Sequence, residues 1–299
     1  MSRRLGRRWN NKKQRRKMKL FLEKIKLSLQ KRTKTAQTKK SFAAWQAKGY
    51  EPRPETTFII QSHNKSLQVC HILPKLRAYS AACEIIVIDD GSAPAHTQRL
   101  TAALTSANDF LIRSNDLFEN VTYDKAIRMA NGRYIALLQD DDDFDGTQWI
   151  DRAIELFERH PRLAVLGGKD GLGIHFDHDK ERAHGTAFEK QPTEGFAFVP
   201  AVNRAPMWLN RKLFTEYLHH IDFRFAPFQF DDYELCARTW LSGLQVGWYD
   251  AAFHSLSVGG MRLWNTAFTD EQSTRNGRLL YQLYVDRAEE IYRLVAEAQ

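Results

Sequence analysis

Four consecutive aspartates, Asp140 to Asp143, stand directly after the apolar run Tyr134-Ile135-Ala136-Leu137-Leu138-Gln139. The run reads as a buried strand. Like charges at its carboxyl end repel one another, and a cation or a cationic ligand is what offsets such a cluster. Hard carboxylate oxygens suit magnesium or manganese shared with substrate phosphates. The plainer alternative is a solvated acidic turn, and Asp143 in particular is expected to be solvated or to cap the next helix. Other groups have the right chemistry. Asp89-Asp90-Gly91 ends a second apolar strand, where the glycine would supply a positive φ. Asp231-Asp232-Tyr233-Glu234 opens a segment of helical pattern, and a carboxylate in a first helical turn is kept ionised. His254 stands alone; a satisfied structural histidine and a ligand are both open readings.

The elements that would position these groups alternate. Strand patterns at 57–61, 84–89, 109–113, 133–138 and 163–167 are separated by helical patterns at 67–79, 95–105, 121–131 and 147–160. Gly132 reads as a helix stop and Pro161 ends another helix. Repeated βα units predict a mostly parallel central sheet with helices on both faces. Ligands of such sheets bind beyond the carboxyl ends of the strands, where both acidic turns fall. Residues 168–194 show no period and read as a mobile polar loop; His175, Asp177, His178 and Asp179 within it are better taken as solvated than as metal ligands. Gly195–Pro200 and Gln245–Trp248 return to strand character. Asn210–Leu218 and Asp231–Leu241 read as helices, and Gly277–Ala298 as one terminal helix.

The order of these motifs resembles glycosyltransferase family 2. Phe58-Ile59-Ile60-Gln61-Ser62-His63-Asn64 is similar to the family's first strand and loop, and Glu84 to Ser92 to its second strand with an Asp-Asp-Gly-Ser turn. Asn131-Gly132-Arg133-Tyr134-Ile135 leads to the acidic run, which falls where the family carries Asp-x-Asp. Phe230 to Arg238 resembles the acceptor-side helix with its catalytic base, and His254 with Gly259-Gly260 the later histidine loop. The resemblance spans about residues 57–260. It implies a GT-A fold and an inverting transfer of sugar from a nucleoside diphosphate donor of UDP, GDP or dTDP type. The acceptor would be a hydroxyl of a glycan or lipid-linked molecule, as in bacterial-type surface polysaccharide or glycoconjugate synthesis.

By the same resemblance Asp232 is the base, with Asp231 its rival. Ser62, Asn64, Asp89, Asp90, Arg113 and Asp140 would hold the donor, and Lys125 is as well read as surface. Asp141, Asp142 and His254 would hold Mn2+ or Mg2+. Aligning Tyr134-Ile135 with the family strand puts the two motif aspartates at Gln139 and Asp141, so neutral Gln139 departs from the pattern; a shift of one gives Asp140 and Asp142. Trp208 and Glu234 would meet the acceptor. A core Trp208 is an equal alternative, and Glu234 could instead pair with Arg238 four residues on. Arg262 and Trp264 would belong to a loop closing over the donor.

Charge is unevenly spread. Residues 1–48 hold 18 Lys and Arg against one acid, Glu23, whereas the remaining residues hold 26 bases and 35 acids. The basic balance therefore belongs to the arm, and nucleic acid is not the expected partner of the folded part. Residues 1–17 read as disordered and 31–41 as a linker. Between them Met18, Phe21, Leu22, Ile25 and Leu29 recur at helical spacing among lysines. An anionic membrane surface, docking on the core and RNA are the three readings of that stripe. An RNA- or membrane-binding protein with a non-catalytic GT-A-like domain is the alternative to an enzyme. The expected organisation is an arm over 1–50, a catalytic domain over 51–265 (donor half 57–145, acceptor half 195–260) and a helical segment over 266–299. Three cysteines without paired spacing, no apolar stretch that would span a bilayer and no signal-peptide core suggest a cytoplasmic protein, peripheral on a membrane at most.

Overall fold

The computed structural model describes residues 2–188, 195–257 and 266–299, with side chains described from residue 17 onward. Gly259, Gly260, Arg262 and Trp264 lie outside the described residues. The chain divides into two compact units, Met1–Tyr50 and Glu51–Gln299.

The first unit is one long helix, α1 (Ser2–Gln46). This corrects the expectation of disorder to residue 17 and of a linker at 31–41. Charge and threonines suggested breaks, yet no glycine or proline stands between Gly6 and Gly49. Lys, Arg, Gln, Leu and Ala are all good helix formers. The threonines join the helix by bonding back: the hydroxyls of Thr33, Thr35 and Thr38 donate to the carbonyls of Leu29, Lys31 and Lys34 at 3.0, 2.8 and 2.9 Å. After the helix Tyr50 meets Phe42 and Trp45 edge-on, with ring centroids 6.1 and 6.5 Å apart.

The second unit is built on an eight-stranded sheet. Its strands are β1 (Thr56–Ser62), β2 (Glu84–Asp90), β3 (Asp109–Ser114), β4 (Tyr134–Gln139), β6 (Leu163–Gly167), β9 (Phe196–Phe198), β11 (Met207–Asn210) and β12 (Gln245–Tyr249). The order is β3-β2-β1-β4-β11-β6-β12-β9. Strands β3, β2, β1 and β4 run parallel; β11 is antiparallel between β4 and β6. Connecting helices are α2 (Ser66–Tyr79), α3 (Pro94–Ala103), α4 (Phe118–Met129) and α5 (Gln148–Arg159), followed by α6 (Asp231–Leu241). β2 is buried along its whole length and β1 and β4 nearly so, as near-continuous apolar strands covered on both faces must be. Buried Glu84 ties the layers. It accepts from the Thr57 hydroxyl at 2.7 Å and from the Asn131 backbone and side-chain nitrogens at 2.7 and 2.8 Å. Gly132 does more than stop a helix: a Cβ there would sit 2.5 Å from the Thr57 nitrogen, so only glycine lets the turn close on β1.

Residues 168–188 are not the expected loop. They form β7 (Gly171–Asp177) and β8 (Arg182–Ala187), a hairpin that joins β10 (Ala201–Val202) in a three-stranded sheet. His175 and His184 face each other across it. The terminal helix is also divided, into α7 (Thr266–Tyr284) and α8 (Ala288–Ala298) around a turn at Val285–Arg287. The bend lets α7 pack on β8 while α8 seats Ile291 and Val295 in the core beside α6. The Asn276 amide, on α7, donates to the carbonyls of Phe225 and Phe228, both at 2.8 Å.

Candidate active site

Parallel pairing brings the carboxyl ends of four strands to one sheet edge. The register sets Ser62 beside Asp89, Asp89 beside Arg113, and Gln61 beside Gln139. Asp89 is fully buried. Its Oδ2 accepts from the Thr97 hydroxyl of α3 at 2.5 Å, while its Oδ1 and the neighbouring Ser62 Oγ are buried without partners. A buried polar atom left unpaired costs about 1–3 kcal/mol. Two such atoms stand at adjacent strand ends, unmet hydrogen-bonding capacity at the carboxyl edge of the sheet.

Several residues expected at the donor also bond within the protein. Asp90 accepts from Ser114 Oγ and from the backbone of Leu117 and Phe118 at 2.7, 2.9 and 2.8 Å, which anchors the start of α4. Asn64, at φ 58°, donates its N–H to Ser92 Oγ and accepts from the Ala93 N–H, pinning the β1 loop to the β2 turn. Gly91 has the anticipated positive φ, 75°. Arg113 is exposed and donates to the Ser92 carbonyl at 3.2 Å.

The four aspartates part company. Asp140 accepts from the His63 N–H at 3.0 Å. Lys65 Nζ lies 3.3 Å from Asp140 and 3.6 Å from Asp141, so an ammonium sits between them. Asp142 accepts from the Gln139 N–H at 2.8 Å. Burial pushes Asp142 up to about 7 and Asp140 up to about 6, with the neighbouring aspartates adding to the rise; Lys65 and the His63 N–H at Asp140, and the Gln139 N–H and Lys169 at Asp142, do not offset it. Asp142 and Asp143 form β5 (Asp142–Asp143), which pairs with β13 (His254–Ser255). Asp143 is neither solvated nor a helix cap. Lys75 donates to it at 2.6 Å, and the Nε2 atoms of His71 and His254 lie 3.1 and 3.3 Å from its Oδ2. Burial alone would raise its pKa; the bonds from Lys75, the Phe144 N–H and His71 outweigh that and lower it. His254 is thus turned to Asp143, and the expected ligand trio Asp141, Asp142 and His254 is not assembled. Among the described residues no three His, Cys, Asp or Glu side chains form a metal cage. The donor set does fit a cation of the magnesium class, which takes one or two carboxylates and otherwise phosphate or water oxygens. Asp140 and Asp141, which share the Lys65 ammonium, are carboxylates of that kind.

On the acceptor side, Asp231 is buried and ion-paired with the Arg204 guanidinium, which also donates to Glu119 at 3.0 Å. Burial works against the Arg204 charge, but Asp231, Glu119 and Asp232 outweigh it and raise its pKa. Asp232 is half-buried and accepts from the Tyr233 N–H at 2.9 Å. Burial, then the adjacent Asp231 charge, pushes it up to about 6. Of the pair, Asp231 is committed to Arg204 and Asp232 is the one without an ion-pair partner among the described residues. Glu234 is not placed for an acceptor: Arg238 grips both its oxygens at 2.7 and 2.8 Å and the Tyr284 hydroxyl donates to it at 2.9 Å. Trp208 is fully buried; its indole N–H donates to the Tyr249 hydroxyl at 3.1 Å and its ring packs on Phe58 and Trp149. It is a core residue because β11 lies in the middle of the sheet.

Tyr123 connects the two carboxylate groups. Its hydroxyl donates to the Leu138 carbonyl at 2.7 Å, just before the acidic run, and the Arg204 guanidinium lies 5.0 Å from its ring centroid. Burial raises its pKa, with the charges of Glu119, Asp142 and Asp140 adding to the rise and Arg204 opposing it. Strand-end and helix-start carboxylates, far apart in the chain, therefore converge on one region. Lys65, Thr97, Tyr123 and Arg204 were not assigned roles from the sequence. The signal available was position: Lys65 closes the first strand loop, and Arg204 lies in the segment leading to the acceptor helix.

Residues 57–229 match glycosyl transferase family 2. The chain belongs to this family. The GT-A fold agrees: a mannosyltransferase of Pyrobaculum calidifontis, solved with GDP-Man and Mn2+, is 13% identical with a TM-score of 0.52, over 86% of this chain and 81% of its own. Residues 1–349 of S. aureus TarS, solved with UDP-GlcNAc, are 13% identical with a TM-score of 0.58, over 81% and 71%. Among curated proteins none matches this chain in sequence. As a family 2 glycosyltransferase, the chain carries Asp232 just beyond the matched span and all its strand-end carboxylates within it. No helix among the described residues is long and apolar enough to cross a membrane.

Proposed function

We propose that this family 2 member is an inverting transferase that moves a sugar from a nucleoside diphosphate to a hydroxyl of a glycan or lipid-linked acceptor, aided by Mn2+ or Mg2+. The observation that carries the reading is the orphaned pair Asp89 Oδ1 and Ser62 Oγ. A nucleobase edge offers an N–H to the carboxylate and a carbonyl to the hydroxyl, which satisfies both. Asp140 and Asp141, one strand away, then flank the diphosphate. A divalent cation beside it would neutralise charge that develops on the departing phosphate. Asp232 accepts the proton of the incoming hydroxyl as that oxygen bonds to the anomeric carbon, and the bond to the diphosphate oxygen breaks on the opposite face. Arg204 holds Asp231 and so fixes the first turn of α6, on which Asp232 is carried.

The test is a thermal-shift screen of nucleoside diphosphates with and without manganese. One nucleotide raises the melting temperature, and Asp89→Ala weakens its binding by roughly 10- to 100-fold, the equivalent of about 1.5–3 kcal/mol for a hydrogen bond to a charged group. No shift with any nucleotide refutes the reading. Lys65→Gln gives a second expected result. Removing the ammonium that shares Asp140 and Asp141 frees both carboxylates, so Mn2+ alone, titrated calorimetrically, binds up to about tenfold tighter. Unchanged affinity would separate these carboxylates from the cation.

A further inference from the structure

We infer that α1 is a membrane-surface anchor that lies flat on an anionic lipid leaflet through the stripe Met18, Phe21, Leu22, Ile25 and Leu29. At about 100° per residue these five side chains fall within an arc of roughly 100°. All are exposed: Phe21 and Leu22 are 59% accessible and Leu29 58%. Lysines stand at both margins of the stripe, Lys17 and Lys24 on one side and Lys19 and Lys26 on the other. Arg32 closes its carboxyl end. An apolar face fenced by cations matches a bilayer interface, where the stripe sinks below the headgroups and the ammonium groups reach lipid phosphates. One acid, Glu23, stands among residues 1–48, so the charge complements anionic lipid.

Two other occupants fit less well. A second copy would bring its lysines against those of the first along the same seam, which repels. RNA would use the lysines but leave the apolar stripe uncovered. Leu20 and Leu27 are also exposed but lie on the opposite side of the helix, at roughly 180–200° from Met18. They supply the internal control. The inference is independent of the catalytic reading, since it concerns residues outside the transferase fold.

The experiment is flotation of the full chain with phosphatidylcholine vesicles, with and without phosphatidylglycerol. The protein floats with the anionic vesicles only. The double variant Phe21→Glu/Ile25→Glu loses more than about tenfold in partitioning, whereas Leu20→Glu/Leu27→Glu keeps most of it. The nucleotide thermal shift, measured on the same variants, is unchanged in both, which keeps a failure here distinct from a failure of the catalytic reading. Equal loss in the two variants, no vesicle binding, or stripe-independent binding to single-stranded RNA in place of vesicles each overturns the inference.

Discussion

Asp232→Asn yields a protein that still binds its donor nucleotide but transfers sugar about 10²- to 10⁴-fold more slowly. The substitution keeps size and the bond from the Tyr233 N–H while removing the only proton acceptor of the α6 start that is not already ion-paired among the described residues. Asp231 cannot stand in, because its charge is held by Arg204. The base also sets the pH profile. Burial and the Asp231 charge put Asp232 at about 6, and only its ionised form takes a proton. Single-turnover transfer by the wild type therefore rises with pH through about 6 and levels above it. In Asp232→Asn the part of that limb owed to the base disappears, while the part owed to Asp140, which burial also raises to about 6, remains. Anomeric configuration of the product, read by NMR, checks the inverting geometry. Residual transfer near wild-type rates, or loss of nucleotide binding with transfer, removes Asp232 from this role.

Arg204→Met destabilises the protein by about 3–5 kcal/mol. Methionine keeps much of the length but leaves Asp231 buried with no countercharge, and Glu119 loses a partner. The deficit is read as the difference between the urea midpoints of variant and wild type at neutral pH. The double variant Arg204→Met/Asp231→Asn recovers part of the loss, since no buried charge is then unpaired. A single-variant cost below about 1 kcal/mol would show that water reaches Asp231 freely.

The apolar runs ending in Asp89 and in the acidic cluster, and their alternation with helical patterns, were sufficient to predict the parallel sheet and to place both acidic turns at its carboxyl edge. Those features are legible because strand burial and side-chain period act over a few residues. The order of motifs likewise points to the transferase family. The hairpin at 171–187 was missed because its strands are half-exposed and rich in glycine and histidine, so no buried face imposed a period. The length of α1 is not apparent from charge, which suggests an unpacked arm, but follows from helix propensity across a stretch without glycine or proline.

What a carboxylate does was decided by its partner, and partners come from elsewhere in the chain. Asp143 looked like a surface cap and is held by Lys75, 68 residues away in sequence. Asp231 and Asp232 are adjacent and alike, yet Arg204 reaches one and leaves the other to titrate. Trp208 could have stacked on a sugar until β11 placed it between β4 and β6. Local pattern sets which residues stand at a strand end or a helix start. Only packing in three dimensions sets the desolvation and the countercharge at each, and those two quantities separate a brace from a base.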